Sequence, residues 1–538
     1  MPNVFKQVVD RQLWAQVTPA PVASATAQGF ACDLRNDNTR NPFVYQLSGN
    51  SALDRFNIIS KAWQRVSATP LTAGTYGAGA TSWFAPSFSA VGTIAAGATT
   101  TSFTLSTALP TAVGANMLAN RGGSGQFGFR IRLIDTVAGK TEERWIVANT
   151  ASTTPQIWVD AAFSFTPATG ARYELLSGRL FMLGSGTLAA GAFRSFEVAS
   201  NTFANRAIAN LPATLSTDSA AIVLDELHVP AANAPGEGMI KGATLYDTGL
   251  NALLATASGA STITGQATLG DAIVAINEYR NFQIRIVADP TTPGSVGQRR
   301  IIASHTAGPS AVYTLGSAWT TQPSSSARFL IEQPNVVILR TTANTTTYTY
   351  NYTDATINNG TNSIAADAWS TTYFGAAPAA NGAGCLWAPC WGITVDAGRV
   401  VRHSFNYFFR GGATGTLDVL DIAGSITGTW TGAITYDGSP VGLSFTTGTT
   451  GTPSPFANGG RYTYLNLYTA STLSMMFRFD AANRVLSPTV STDFIQAGTA
   501  ALGARMAAYA VIDGTDKYDC VLLQAMASTI CQELIPLI

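Results

Sequence analysis

Apolar and polar residues alternate in short runs along most of the chain, which is the pattern of half-buried β-strands. Clear examples are Phe43–Leu47, Phe127–Leu133 and Tyr348–Tyr352. Turn-forming residues separate the runs, as in Asn50-Ser51 and Asp513-Gly514. The hydrophobic pattern therefore predicts an all-β fold.

Three stretches depart from the strand pattern. Val4–Val17 and Leu109–Ala119 are each compatible with a short helix, and Gln524–Leu534 fits either a terminal helix or a further strand. Elsewhere we expect strands and turns.

One combination of strand and turn recurs. Ser471–Pro488 contains a strand ending in Phe-Arg-Phe-Asp, an Asx turn, and an apolar step before a proline. Similar sequence patterns appear at Leu53–Asn57 and Arg194–Val198, with looser copies at Tyr348–Asp354 and Leu417–Asp421. Strand pairs with such a turn, repeated along a chain, are typical of propeller blades. We expect five or six blades, the sixth shared between the termini, because closing the ring removes exposed strand edges.

A second unit occurs twice. Its copies match at three places: Phe129–Leu133 with Phe282–Ile286, Glu143–Ala148 with Gln298–Ala303, and Ala171–Tyr173 with Ala327–Phe329. These pairs lie 153 to 156 residues apart. The pattern predicts a duplicated β-domain inserted into the propeller.

The predicted fold class is thus all-β, with a propeller-like core that carries two duplicated inserted β-domains. Within the first blade, the four expected strands are Phe43–Leu47, Leu53–Ile59, Trp63–Val66 and Thr75–Phe84. The division of the chain is 1–86 for the N-terminal segment and first blade, 87–177 for inserted domain 1, 178–239 for a blade, 240–335 for inserted domain 2, and 336–538 for the remaining blades and ring closure.

Charge is scarce. Charged residues make up 12% of the chain, against about 25% in ordinary soluble domains, and 31 basic residues balance 31 acidic ones. Such a surface lacks the self-repulsion that keeps monomers apart, so we interpret it as covered by other subunits. The alternative is a setting that simply favours small residues. The sequence shows neither a signal peptide at Met1–Lys6 nor a run of 18 apolar residues, so we expect no membrane-spanning segment and assembly in a cytoplasm.

The search for catalytic chemistry assigns no residue. The three histidines have no partner at i+4, and no G-x-S-x-G elbow is present. Cys385 and Cys390 lack the neighbours of a zinc site, so we interpret all the cysteines as buried free thiols. The residues concerned are His228, His305, His403, Cys32, Cys385, Cys390, Cys520 and Cys531.

Several short motifs are weighed and set aside. Gly139-Lys140-Thr141 and Gly123–Gly128 resemble phosphate-binding loops but adjoin strands, so we interpret them as turns. No carboxylate pair is singled out, and three glycosylation sequons are expected by chance. The carboxylates are Glu142, Glu143, Asp218, Asp225 and Glu226, and the sequon asparagines are Asn344, Asn351 and Asn359. The tryptophans Trp83, Trp387 and Trp391 fit either the core or an interface with neighbours. We predict no catalytic, cofactor-binding or metal-binding residue.

The repeated pattern of strand, Asx turn and apolar step resembles the blades of kelch-type propellers, although the paired glycine of that family appears only at Gly411-Gly412 and Gly459-Gly460. Low charge, Ala/Gly/Thr/Ser-rich hairpins and the duplicated inserts together resemble virion proteins of tailed bacteriophages. Among these, the nozzle (tail tubular) proteins of short-tailed phages are similar in plan: a propeller with inserted β-domains, six copies around the DNA channel.

The resemblance implies a non-enzymatic structural part of a phage tail or neck, located in the virion tail after assembly in the host cytoplasm. It implies a homo-oligomer, expected as a hexameric ring, in contact with adaptor and fibre proteins. The ring would form part of the DNA ejection conduit and pass DNA without sequence-specific binding, which zero net charge suits. The alternatives are another virion part (head fibre, decoration or baseplate protein) or a glycan-binding or depolymerase propeller. No cofactor is implied.

Overall fold

The computed structural model describes residues 12–21, 43–48, 52–67, 81–85, 90–109, 112–119, 129–176, 178–184, 186–198, 202–215, 220–224, 253–265, 277, 279–308, 310–332, 334–340, 346–374, 384–386, 390–396, 399–410, 416–421, 425–430, 434–436, 439–441, 456–458, 463–468, 474–480, 485–488, 505–513, 516–524 and 529–536. Within these ranges the regular structure is strand, apart from a 3₁₀ turn at Pro293–Ser295.

The strands are β1 (Gln12–Val17), β2 (Phe43–Ser48), β3 (Ala52–Asn57), β4 (Ala62–Ser67), β5 (Thr81–Ala85), β6 (Ala90–Thr93), β7 (Ser102–Thr104), β8 (Arg130–Asp135), β9 (Lys140–Asn149), β10 (Gln156–Val159), β11 (Arg172–Leu176), β12 (Arg179–Leu183), β13 (Gly186–Thr187), β14 (Phe193–Glu197), β15 (Thr202–Asn205), β16 (Thr214–Leu215), β17 (Ala220–Leu224), β18 (Leu253–Gly259), β19 (Thr262–Gly265), β20 (Gln283–Ala288) and β21 (Arg299–His305).

They continue with β22 (Val312–Leu315), β23 (Arg328–Glu332), β24 (Val336–Arg340), β25 (Tyr348–Asn351), β26 (Ile357–Asn358), β27 (Ser363–Ile364), β28 (Ala368–Ser370), β29 (Gly384–Leu386), β30 (Cys390–Asp396), β31 (Arg399–Arg410), β32 (Thr416–Asp421), β33 (Ser425–Trp430), β34 (Ile434–Tyr436), β35 (Ser439–Val441), β36 (Phe456–Asn458), β37 (Thr463–Tyr468), β38 (Ser474–Asp480), β39 (Val485–Pro488), β40 (Arg505–Asp513), β41 (Asp516–Gln524) and β42 (Cys531–Pro536).

Six sheets of three to six strands follow one another along the chain. We name them sheet 1 (β2-β3-β4), sheet 2 (β5-β12-β14-β15), sheet 3 (β17-β24-β25-β28), sheet 4 (β29-β31-β32-β33, with β30 on β31), sheet 5 (β35-β34-β39-β38-β37-β36) and sheet 6 (β40-β41-β42-β1). In sheet 6 the N-terminal strand β1 completes a sheet begun near the C-terminus, with Gln12 opposite Pro536 and Val17 opposite Cys531. The expected sharing of a sheet between the two ends of the chain is therefore confirmed.

Neighbouring sheets pack on one another in series. Buried side chains join sheet 6 to sheet 1, sheet 1 to sheet 2 and sheet 2 to sheet 3, while β29 contacts β17 and β24, and β36 contacts β40. Between sheets 2 and 3 the core is aromatic, with Trp83, Phe181, Phe193, Tyr350 and Trp369 in mutual contact. The all-β class is confirmed, and four-stranded meanders packed in series are consistent with a propeller-like core.

The two inserts are closed six-stranded barrels with the same strand order. Barrel 1 runs β6-β11-β8-β9-β10-β7 and closes through the bridge between Ile94 and Leu105. Barrel 2 runs β18-β23-β20-β21-β22-β19 and closes where β19 pairs with β18. Among the described strands of each barrel, closure leaves no unpaired edge. The predicted duplication is confirmed.

Each barrel interrupts a sheet between its first and second strands. Barrel 1 lies between β5 and β12, which pair directly from Thr81 opposite Leu183 to Ala85 opposite Arg179. Barrel 2 lies between β17 and β24, which pair in the same way. The expectation that Thr75–Phe84 holds the fourth strand of the first blade is therefore wrong, because β5 begins sheet 2. The domain limits themselves stay a prediction.

The helix interpretations are also corrected. The described part of Val4–Val17 is strand β1, because its backbone pairs with β42. Leu109–Ala119 forms turns in its described part, where Leu109 bonds Thr153 and Asn116 has φ +57°. Asn tolerates that left-handed conformation, but a helix does not continue through it. In Gln524–Leu534, the strand alternative is correct at Cys531 onward.

Candidate functional site

A buried ionic network joins the two barrels and is the densest cluster of charged side chains in the described ranges. Its centre is Arg132 on β8, which lies directly opposite Glu143 on β9 and Glu174 on β11. All three side chains are at most 1% exposed. Arg132 donates from Nε to Glu143 Oε1 at 2.8 Å and from Nη1 to Glu174 Oε2 at 2.7 Å. Cross-strand register thus places one guanidinium between two carboxylates.

The second barrel completes the network through Arg299 on β21. Its Nη1 and Nη2 atoms donate to Glu174 Oε1 and Oε2, both at 2.9 Å. This two-point geometry is the strongest arrangement of an arginine on a carboxylate. Glu174 is therefore bonded by one arginine from each barrel, and it couples the two units electrostatically.

The network extends to sheet 3. Arg172 lies 3.6 Å from Glu174 and donates to Asp354 Oδ2 at 2.7 Å, in the connection that follows β25. Arg130 adds a bond to Glu143 Oε2 at 3.2 Å. Barrel 1, barrel 2 and sheet 3 are thereby tied at a single place, which we call the three-way joint.

Barrel 2 has a related pair of its own. Arg285 occupies the position of Arg132, and its Nε donates to Glu332 Oε1 at 2.9 Å, with both side chains at most 1% exposed. Gln283 donates to the same carboxylate at 3.1 Å. Each barrel thus keeps a buried arginine that is matched by a glutamate on its last strand.

Backbone contacts also join the two barrels where β20 ends and β9 begins. Ala288 of β20 pairs with Lys140 of β9, and Asp289 N donates to Gly139 O at 3.0 Å. Gly297 packs against Ile134 so closely that a Cβ there would collide with it. These contacts merge the barrels into one twelve-stranded sheet.

Equivalent aspartates fasten the strand ends of both barrels. Asp135 accepts from the backbone N–H groups of Val137, Ala138 and Ala168 at 2.7 to 2.9 Å. Asp289 accepts in the same way from Thr291, Thr292 and Ser324, and also from the Ser295 hydroxyl.

Burial raises the pKa of Asp289, but hydrogen bonds from Ser324, Thr292 and Ser295 outweigh it, so the pKa lies below its ordinary value. Sequence reasoning missed both aspartates. A usable signal was present, because each follows an equivalent alternating strand and precedes a turn.

The hydrogen bonds also correct the alignment of the two copies by one residue. Arg144 donates to Glu142 and to Ala162 O, and Arg300 makes the matching bonds to Gln298 and Ala318 O. The correct match is therefore Glu142 with Gln298, not Glu143 with Gln298. The Arg299-Arg300 doublet permits either register in the sequence, and the turn containing Pro293–Ser295 lengthens the second copy.

His305 has a structural position. It is 4% exposed, its Nε2 lies 2.8 Å from the backbone N of Tyr279, and its Nδ1 lies 2.9 Å from Thr306 O. Burial lowers the pKa of His305, and the bond to Thr306 offsets part of that effect. His403 lies in β31, and His228 lies outside the described residues.

The other singled-out residues take structural positions where they are described. Gly139 is at a turn with φ +66°, so the turn interpretation of Gly139-Lys140-Thr141 is confirmed. Trp83 is buried between sheets 2 and 3, which confirms the core alternative for it. Cys520 and Cys531 are buried free thiols, as predicted. Cys385, Cys390 and Trp391 lie in β29 and β30. The residues Gly123–Gly128, Asp218, Asp225, Glu226, Trp387, Cys32 and Asn344 lie outside the described part.

Two of the sequon asparagines are held in the interior. The amide nitrogen of Asn351 donates to the carbonyls of Ala355, Ile364 and Ala365. Asn359 donates to Asn281 Oδ1 at 3.0 Å. Both side chains are therefore structural, and a glycan on either would break buried bonds.

The three-way joint connects parts of the protein to one another. Among the described residues, no group of three or more His, Cys, Asp or Glu side chains is placed to hold a metal ion. The same residues contain no helix that is long and apolar enough to cross a membrane. In the three-way joint, the buried carboxylates of Glu143 and Glu174 accept from arginines, which is a structural arrangement.

Comparison with known proteins adds little. No protein-family model matches the chain, and no curated protein matches it. Among solved structures, the chain is similar to "Phage phi92 endosialidase", with a TM-score of 0.29 and 8% sequence identity over 98% of this chain and 69% of that one. A likeness this slight carries no argument about fold or function.

Proposed function

We propose that the chain is a non-enzymatic structural subunit of a bacteriophage tail or neck, built to assemble with copies of itself. The three-way joint carries this proposal. Its seven charged side chains hold two barrels and a sheet of the core in one fixed relation. A rigid body of this kind suits a load-carrying part of a particle.

Composition supports the same proposal. Only 12% of the residues are charged and the formal net charge is zero. A free monomer of this composition would associate readily, so we place its weakly charged surfaces against sister copies and against adaptor and fibre proteins. In the finer form of the proposal, six copies form a ring on the DNA ejection path, and DNA passes without sequence-specific binding because no excess of basic residues holds phosphate.

The first experiment measures assembly. The purified full-length chain is examined by native mass spectrometry and negative-stain electron microscopy at 50 mM and 500 mM salt. We expect closed rings, with six subunits as the main species at both salt concentrations. A chain that stays monomeric at tens of micromolar under both conditions would refute the assembly part.

The second experiment locates the protein and tests the enzymatic alternative. Antibodies raised against the chain are expected to label the tail end of virions in immunogold micrographs. Host capsular polysaccharide incubated with the chain should keep its size distribution. Depolymerisation would favour the tail-spike alternative, and label on the capsid surface would favour a head fibre or decoration protein.

A further inference from the structure

We propose that the neutral side chain of His305 holds barrel 2 to the propeller-like core, and that protonation of the ring at acid pH weakens this attachment. Barrel 1 has no such pH-dependent attachment. The proposal rests on a comparison of equivalent positions in the two barrels. His305 and Asn149 occupy equivalent positions at the ends of β21 and β9, and only the histidine titrates in the physiological range. It is independent of the oligomeric state.

The equivalence is established by matching backbone bonds. Asn149 N lies 3.3 Å from Asn116 Oδ1, and His305 N lies 2.8 Å from Asn277 Oδ1. Asn116 and Asn277 also share a left-handed conformation, with φ +57° and +59°. The loop that follows each of these asparagines is then fastened by the side chain of residue 149 or 305.

The two side chains fasten their loops differently. In barrel 1, Asn149 Oδ1 accepts from Leu118 N at 2.9 Å. In barrel 2, the acceptor is His305 Nε2, which receives the Tyr279 N–H at 2.8 Å. Since Nε2 accepts, the proton of the neutral ring is on Nδ1, where it donates to Thr306 O at 2.9 Å.

Protonation of the His305 ring would break its hydrogen bond with the Tyr279 N–H. Both nitrogens of an imidazolium are donors, so Nε2–H would then face the Tyr279 N–H. The groups around the ring are the side chains of Tyr279 and Tyr313, with centroids at 5.9 and 5.2 Å, and Asn277 at the backbone. Within the described contacts, no carboxylate is bonded to the ring to stabilise its charged form.

The loop that would be released is also a contact with sheet 3. Arg280 N and Phe282 N close its turns at 3.1 Å, and Asn281 N donates to Ile302 O at 2.8 Å. The buried Asn281 side chain accepts from Asn359, which lies between β26 and β27, within the connection from β25 to β28. Loss of the Tyr279 bond therefore weakens the attachment of barrel 2 to the core.

The direction of the pH effect follows from the lowered pKa of His305. The unfolded or released state takes up a proton near pH 6.5, while the fastened state resists it. The stabilisation that the neutral His305 gives to the attached loop is complete above that pH. It is lost as the pH falls from about 6.5 toward the lower pKa that His305 has in the attached state. Asn149 gives barrel 1 no such dependence.

Hydrogen exchange at pH 8 and pH 5 tests the proposal, expressed as protection factors that remove the intrinsic effect of pH. In the full-length protein we expect the amides of residues 279–282 to lose protection at pH 5, by up to about thirtyfold, the limit set by protonation of a free imidazole with a pKa of about 6.5. The amides of residues 116–119 serve as the internal reference, and their protection factors should not change between pH 8 and pH 5. An equal loss of protection in both loops would mean that acid destabilises the protein generally, and it would overturn the proposal.

Two reciprocal variants complete the test. His305→Asn installs the barrel 1 acceptor and should abolish the acid response of residues 279–282. Asn149→His should give residues 116–119 an acid response of their own. If His305→Asn leaves the response intact, His305 is not its source, and if Asn149→His folds without any response at pH 5, the fastening geometry is refuted.

Discussion

Replacing Glu174 with glutamine is expected to weaken both barrels at once. The substitution keeps the size of the side chain but removes the charge that Arg132 and Arg299 share. Removing one partner of a buried ion pair costs about 3–5 kcal/mol, because the remaining charge is left uncompensated. Arg132 keeps Glu143, and the Arg299 side chain is 18% exposed, so water takes up part of the loss. We therefore expect a value near the lower end, about 3 kcal/mol.

Native-state hydrogen exchange is the appropriate assay, since a chain with two barrels and six sheets need not unfold in one step. A loss of about 3 kcal/mol raises the opening equilibrium by roughly two orders of magnitude. We expect this increase in exchange for the amides of β8 and β11 in barrel 1, and a smaller increase in β21 of barrel 2.

A matched control exists within the chain. Glu332→Gln removes an equally buried carboxylate from Arg285, but the pair lies entirely in barrel 2. It should speed exchange in β20 and β23 and leave β8 and β11 unchanged. Combining Glu174→Gln with Arg299→Met should give a coupling of about 1–3 kcal/mol. The reasoning would be wrong if barrel 1 exchange rose less than about threefold in Glu174→Gln, or if Glu332→Gln affected both barrels equally.

Three further outcomes are expected. Phe181→Ala opens a hole in the aromatic core between sheets 2 and 3 and should cost about 3–5 kcal/mol, measured by native-state hydrogen exchange of β12 and β24, with Phe181→Leu much milder. Gly316→Ala should loosen barrel 2 in limited proteolysis because its Cβ would collide with the carbonyl oxygen of Asn358, whereas Gly114→Ala meets open space and should behave as wild type. Cys531, whose pKa is raised by burial to about 12, should resist iodoacetamide at pH 8 in the folded protein and react fully in 6 M guanidinium, and rapid native labelling would contradict closure of sheet 6.

The sequence predicts the fold class well because alternation of apolar and polar residues is a local signal. Phe129–Leu133 and Phe282–Ile286 show their strands and their kinship without any knowledge of the structure. Pairing across the inserts is a different matter. Nothing local in Thr81–Ala85 indicates that it pairs with β12 beyond a whole barrel, so the sequence places it in the wrong sheet.

The three-way joint was equally hard to predict. Glu142 and Glu143 are adjacent in sequence, yet Glu142 bonds Arg144 and Glu143 bonds Arg132 within the three-way joint. Their separate roles depend on the register of β8 and β9, which one residue of slip would exchange. Arg299 is ambiguous for the same reason, because its neighbour Arg300 matches Arg144 just as well in sequence.

The placement of each barrel between the first two strands of a sheet has a consequence for synthesis. Strand β5 must wait for its partner β12 until all of barrel 1 has been made, and β1 must wait for β42 until residues 531–536 have been made. At about 5–20 residues per second, the second delay is on the order of half a minute to two minutes. The barrels, whose closing strand pairs lie within each barrel, are free to form on the ribosome, while sheet 6 is completed only after β42 has been made. Until then β1 has no partner strand, and its backbone N–H and C=O groups are open to pairing with another chain.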